Sequence, residues 1–304
     1  MPVWNTAREG LGLQEVTRGC DLWKALLAEF IGTLFLVFLG CLSTIPWPDE
    51  GYQASMVQIA IAFGITVATM AQSIGHISGC HINPAITLAM LVTRHITLIR
   101  AVCYIIVQCL GGVVGSALLK AVIPVIYQGS LGMTMVNPAM TPAQGFGVEV
   151  LITFVLVFVV FGVCDEQRTD VMGSAPLAIG LSITTCHVGA LKCTGASMNP
   201  ARSFGPAVVT GIWANHWVFW VGPILGGCLA AKVYKDNFMA AKLSPDGYGL
   251  VVDQAPEETS GKSPTPLTRR RPSDEEPGVD LSDCAAAEGA VLRHIDDDAD
   301  STDP

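Results

Sequence analysis

The chain has 304 residues, of which 51% are apolar and 14% charged, with a mean hydropathy of +0.49. So few charges cannot clothe a soluble globule of this size, and the composition points to a polytopic membrane protein. The formal charge of −9 gathers in acidic runs after Lys242, such as Asp274-Glu275-Glu276 and Asp296-Asp297-Asp298, so it describes a tail and implies no nucleic-acid partner.

In chain order, residues 1–20 are mixed and polar and read as a cytosolic N-terminal tail. No cleavable signal peptide is visible, because the first apolar stretch is already long enough to span a bilayer. Six apolar stretches follow, at about 22–45, 53–73, 97–120, 145–164, 176–188 and 216–234. At 1.5 Å per residue most can cross about 30 Å of hydrocarbon. The fifth reads short, since Gly173 and Ser174 blur its start.

Two further apolar runs, 84–92 and 200–210, are too short to span alone. About 15 Å from each side nevertheless sums to one crossing. Each follows a run of small residues, Ser78-Gly79-Cys80-His81-Ile82-Asn83-Pro84-Ala85 and Thr194-Gly195-Ala196-Ser197-Met198-Asn199-Pro200-Ala201. Asn83 and Asn199 are 116 positions apart, and Glu29 and Thr33 recur as Glu149 and Thr153, Gly111-Gly112 as Gly226-Gly227. The expected architecture is therefore an all-α membrane protein with six transmembrane helices plus two re-entrant half-helices, built from an inverted internal repeat. Its channel domain spans 21–238, with halves at about 21–125 and 144–238.

Arg94, Arg100, Arg168, Lys232, Lys235 and Lys242 fall on one side of this arrangement, while loops 46–52 and 121–144 contain no Lys or Arg. That asymmetry places both termini in the cytosol. Gly111–Gly115 and Gly222-x-x-x-Gly226 let helix backbones approach closely. Residues 239–304 lose apolar periodicity and read as a disordered acidic cytosolic tail, in which Ser273, after Arg269-Arg270-Arg271-Pro272, is a candidate phosphorylation site. The ten cysteines include no Cys-x-x-Cys pair, and those in apolar segments read as small buried residues. No metal or cofactor is expected.

Non-helical backbone at membrane depth is tolerated where it lines a wet cavity. The carbonyls of Gly79, Cys80, His81, Gly195, Ala196 and Ser197 are therefore candidates to face a file of permeant molecules. At the midplane the positive ends of both half-helices converge, where Asn83 and Asn199 can cap the helices and also donate to a passing water oxygen. Arg202 is an ionisable group inside a membrane loop, hence a functional candidate. Glu29 and Glu149 are expected to accept hydrogen bonds from the loop backbones, since a bare carboxylate at that depth is costly. A third Asn-Pro-Ala, at Asn137, lacks the preceding Gly run and meets Pro142 in place of an apolar half-helix, so it is set aside as chance.

The twin Asn-Pro-Ala loops, with Ala-Glu-Phe early and Asn-Pro-Ala-Arg-Ser-Phe-Gly-Pro-Ala late, resemble the aquaporin (major intrinsic protein) family, water-selective branch, over about residues 20–238. The resemblance implies a homotetramer in the plasma membrane with a single-file pore in each protomer. It carries the pore motif onto Asn83, Pro84, Ala85, Asn199, Pro200 and Ala201, the selectivity filter onto Phe63, His187, Ala196 and Arg202, and an apolar wall onto Leu36, Val67, Leu156 and Ile183. Glycerol-conducting relatives differ at positions that are here Ser203, Ala207, Phe219 and Trp220. The expected function is thus passive, water-selective transport with exclusion of protons and ions, with water and the lipid bilayer as its partners. The alternatives are a channel for other small neutral solutes such as hydrogen peroxide, urea or glycerol, or a low-flux structural or junctional membrane protein. No enzymatic constellation can be assembled from these motifs.

Overall fold

A computed structural model describes residues 10–13, 15, 21–47, 51–168 and 174–239, which lie in one compact unit. The acidic tail, Ser273 and most of the N-terminal tail lie outside the described residues.

Eight α-helices carry the architecture: α1 (Asp21–Leu42), α2 (Met56–Ser78), α3 (Pro84–Val92), α4 (Leu98–Val122), α5 (Pro142–Val163), α6 (Ala175–Thr194), α7 (Pro200–Thr210) and α8 (Val218–Asn237). Their starts follow from local chemistry. Ser55, Thr97, Thr141 and Ser174 each accept a hydrogen bond from a backbone N–H in the first turn, and Pro stands in the opening turn of α3, α5, α6 and α7, where a missing N–H costs nothing. Helix α2 ends on Gly79 and α6 on Gly195, both left-handed.

Helix α6 corrects the sequence reading, which ended the fifth stretch at 188. The helix runs on to Thr194, because the stop signal is the left-handed Gly195, whose N–H caps the Leu191 carbonyl. Five helices, α1, α2, α4, α5 and α6, are long and apolar enough to cross a membrane. The sixth, α8, has 20 residues but carries Lys232, Lys235 and Asp236 in its last two turns.

The packing repeats with the sequence. Helix α1 packs on α4 and α2 as α5 packs on α8 and α6, and α4 touches α7 as α8 touches α3. Helices α2 and α6 join the halves. The glycines sit at these seams. A Cβ on Gly111 would lie 2.5 Å from the Phe30 carbonyl, and one on Gly226 2.2 Å from that of Val150. Their role is therefore packing within the bundle. Outward faces of α1, α4 and α8 present Leu27, Ile31, Ile106, Leu110, Val221 and Leu225, as surfaces facing hydrocarbon must.

Candidate functional site

Helices α3 and α7, of nine and eleven residues, meet at their N-termini. Asn83 Oδ1 caps α3 by accepting from Ala85 N at 2.8 Å, and Asn199 Oδ1 caps α7 by accepting from Ala201 N at 3.0 Å. Each amide also crosses the junction: Asn83 Nδ2 donates to the Met198 carbonyl and Asn199 Nδ2 to the Ile82 carbonyl, both at 2.8 Å. Each amide has two N–H bonds, so one remains for a molecule in the lumen.

The loops entering these caps are strained in the same way. Cys80, Ile82, Ala196 and Met198 all have positive φ, between 41° and 52°. For the β-branched Ile82 this is a marked departure, of the kind only a surrounding that over-determines it can hold. Two carboxylates do so. Glu29 accepts from His81 N, Ile82 N, Ser78 Oγ and Gln108 Nε2 at 2.6–2.8 Å. Glu149 accepts from Ser197 N, Met198 N and Thr194 Oγ1 at 2.6–2.9 Å. In each half the Ser or Thr hydroxyl also accepts from a loop N–H, that of Cys80 or Ala196. The oxygens of Glu29 and Glu149 are thus occupied by donors, as scaffold for the loops.

A cavity of about 300 Å³ runs along the junction. Its walls include Leu36, Val67, Leu156 and Ile183, with Gly79, Cys80, His81, Asn83, Ser197 and Asn199 along one side and Phe63, His187 and Arg202 at one end. Gly195 and Ala196 are not part of this wall, and Ala196 is fully buried. Pro84, Ala85, Pro200 and Ala201 lie behind it, in the half-helices.

At that end the Phe63 and His187 rings stack at 4.7 Å, and the Arg202 guanidinium lies over the Phe63 ring at 4.7 Å. Two close approaches put them there. The Phe63 ring rests on Gly40, where a Cβ would come within 2.3 Å of it. Next to Phe63 in the chain, Gly64 meets Gly180 and brings α2 and α6 together so closely that either Cβ would sit 2.4 Å from the other's carbonyl. His187 Nδ1 donates to the Ile183 carbonyl at 3.0 Å, so its Nε2 is a bare acceptor. Among the described residues, His187 Nε2 and Arg202 Nε are the buried side-chain polar atoms without a partner.

Two residues escaped the sequence reading. Cys41 reads from the sequence as one more small buried cysteine, yet Arg202 Nη1 donates to its sulfur at 3.5 Å. Asn137 lies outside the cavity, but its N–H and amide close the end of α6, donating to the carbonyls of Cys193 and Lys192 at 2.8 and 2.9 Å. Its Asn-Pro-Ala is therefore a structural cap on the loop between α4 and α5.

Residues 16–234 match the family model of the major intrinsic proteins. The chain is 53% identical to Aquaporin-4 of Mus musculus over 218 residues, covering 71% of this chain and 68% of the relative. It is 46% identical to Aquaporin FA-CHIP of Pelophylax lessonae over 231 residues, covering 73% and 85%. The fold matches that of the aquaglyceroporin from Plasmodium falciparum with a TM-score of 0.64 at 23% identity, over 71% of this chain and 96% of that one. At that identity the likeness concerns the fold alone.

Proposed function

Because the chain belongs to the major intrinsic protein family, we propose that it is a water-selective channel, conducting water passively in either direction through a pore in each protomer. The observation that carries this reading is the pair of buried, unpartnered atoms at the narrow end, a donor on Arg202 and an acceptor on His187. Leaving each unpaired costs about 1–3 kcal/mol. A water molecule can accept from one and donate to the other, which offsets that cost and replaces part of the hydration lost on entering single file.

The rest of the pore then follows. The apolar wall of Leu36, Val67, Leu156 and Ile183 offers water no competing partner between polar stations. At the midplane the remaining N–H bonds of Asn83 and Asn199 donate to a water oxygen, which turns both its hydrogens outward and breaks the donor chain a hopping proton needs. Exclusion of cations by half-helix dipoles is the established device of aquaporin-type pores. Here, two N-terminal partial charges of about +0.5 placed about 5 Å from a monovalent cation cost about 3 kcal/mol at an effective dielectric constant of about 20. Phe63 and His187 fill the cross-section that glycerol would need, which favours water over the wider-pore alternative.

The functional unit is a homotetramer in the plasma membrane with both termini cytosolic. Family membership supports the assembly and the compartment. The clustering of Lys24, Arg94, Arg100, Lys232 and Lys235 at one end of the bundle supports the orientation. Stopped-flow light scattering on proteoliposomes tests the central reading. Sucrose shock should give shrinkage much faster than in protein-free vesicles, while re-swelling in glycerol should be no faster than theirs. Fast re-swelling in glycerol would assign a wider pore, and slow shrinkage a structural role.

A further inference from the structure

We propose that Cys41 is a specificity-determining residue that positions Arg202, an inference that rests on the channel reading. The guanidinium of Arg202 makes one hydrogen bond among the described residues, from Nη1 to Cys41 Sγ at 3.5 Å. Its Nε is unpartnered, and its Cζ lies over the Phe63 ring, 4.7 Å from the centroid. What fixes the direction of the head group is therefore the sulfur.

Cys41 is itself held. It is fully buried at the end of α1, and its Sγ–H donates to the Gly132 carbonyl at 3.7 Å. Gly132 has φ +67° and packs so close that a Cβ on it would lie 2.8 Å from that of Cys41. The loop carrying Gly132 is pinned twice more, by Thr134 Oγ1 donating to Ser203 Oγ at 2.7 Å and by Asn137 on the end of α6. A thiol can donate one hydrogen bond and accept another, which is what a site between a carbonyl and a guanidinium requires. Alanine or valine can do neither, whereas serine can do both. Cys41 thus joins the outer loop to the narrowest ring and holds Arg202 where the lumen admits water and refuses larger neutral solutes.

Water and urea permeabilities of C41A, C41V and C41S, compared with wild type in proteoliposomes at equal protein content, test this. The alanine and valine variants should raise the urea-to-water permeability ratio by about fivefold, a factor that loss of one modest hydrogen bond allows, and serine should return it to near the wild-type value. Alanine removes the γ-atom and valine adds a second one, so a change of ratio shared by both reports the lost hydrogen bond and not the altered volume, and either carries the comparison if the other fails to accumulate. A role confined to packing would change the amount of protein but not the ratio, so an unchanged ratio in both variants with a water-conducting wild type overturns this inference alone. A wild type that does not conduct water defeats the channel reading and this inference with it.

Discussion

At the scale of single residues, the Phe63, His187 and Arg202 end of the cavity combines one cation, one bare acceptor and two stacked rings. His187 does two jobs there: its ring fills cross-section against Phe63, and its Nε2 offers the acceptor. Removing the imidazole in H187A should separate them. Glycerol flux should appear where wild type has none, while water permeability stays within about threefold, because Arg202 still supplies a donor worth about 1 kcal/mol. Glycerol re-swelling assays check this, and an H187A protein still closed to glycerol would move the constriction elsewhere. Much of this neighbourhood was legible beforehand, since Arg202 follows Asn199 by three positions and a charge inside a membrane loop demands an explanation. Cys41 was not. A cysteine among Leu, Phe and Gly on an apolar helix carries no outward sign that an arginine 161 positions away will donate to it.

At the scale of elements, the two re-entrant segments share one plan but not one set of supports. The carboxylate, the hydroxyl two residues before the strained turn and the Asn cap occur in both halves. The first loop adds Gln108 to Glu29, and Tyr104 donates to the Ser78 carbonyl at 2.9 Å. The positions 115 residues further on, Phe219 and Pro223, can do neither. Replacing Glu29 by Gln turns one acceptor into a donor, but Gln108 can rotate its amide to accept from it. Either substitution takes an acceptor from a loop N–H, that of Ile82 beside Glu29 or of Met198 beside Glu149, but beside Glu149 no side-chain amide is at hand to take the new donor, so E149Q leaves one more unsatisfied buried group, at about 1–3 kcal/mol. E149Q should therefore lower the thermal midpoint in detergent by several degrees more than E29Q. Equal losses would mean that Gln108 is fixed in place. The sequence displayed the two glutamates through their common offset, but it hid this asymmetry, because a buried Gln on an apolar helix looks like a mere interruption. It also hid the last turn of α6, where Gly189 and Lys192 interrupt the apolar pattern while the helix simply continues to its glycine cap.

For the whole molecule, the internal repeat made the architecture readable, since a duplicated pattern of long and half-length apolar runs admits few arrangements. What such symmetry cannot supply is direction, because an inverted duplication looks much the same from either side. Direction rests on charge. Lys235 Nζ donates to the Thr93 carbonyl and Arg100 pairs with Glu15, which puts these groups at one end together with Lys24 and Lys232. At the other end stand Lys120 and Lys192, in the last turns of α4 and α6. The smaller number there fits the outer face, since the excess of Lys and Arg lies on the cytoplasmic side. A membrane-impermeant amine reagent applied to intact cells should therefore modify the exposed Lys120 and Lys192 and spare Lys24 and Lys232 until the cells are permeabilised, as site-resolved mass spectrometry would show. The opposite pattern would invert the bundle. Because Gly132, Cys41 and Arg202 are joined at the Lys120 end, inversion would also place the narrow ring at the cytosolic mouth, where it would screen solutes leaving the cell before those entering it.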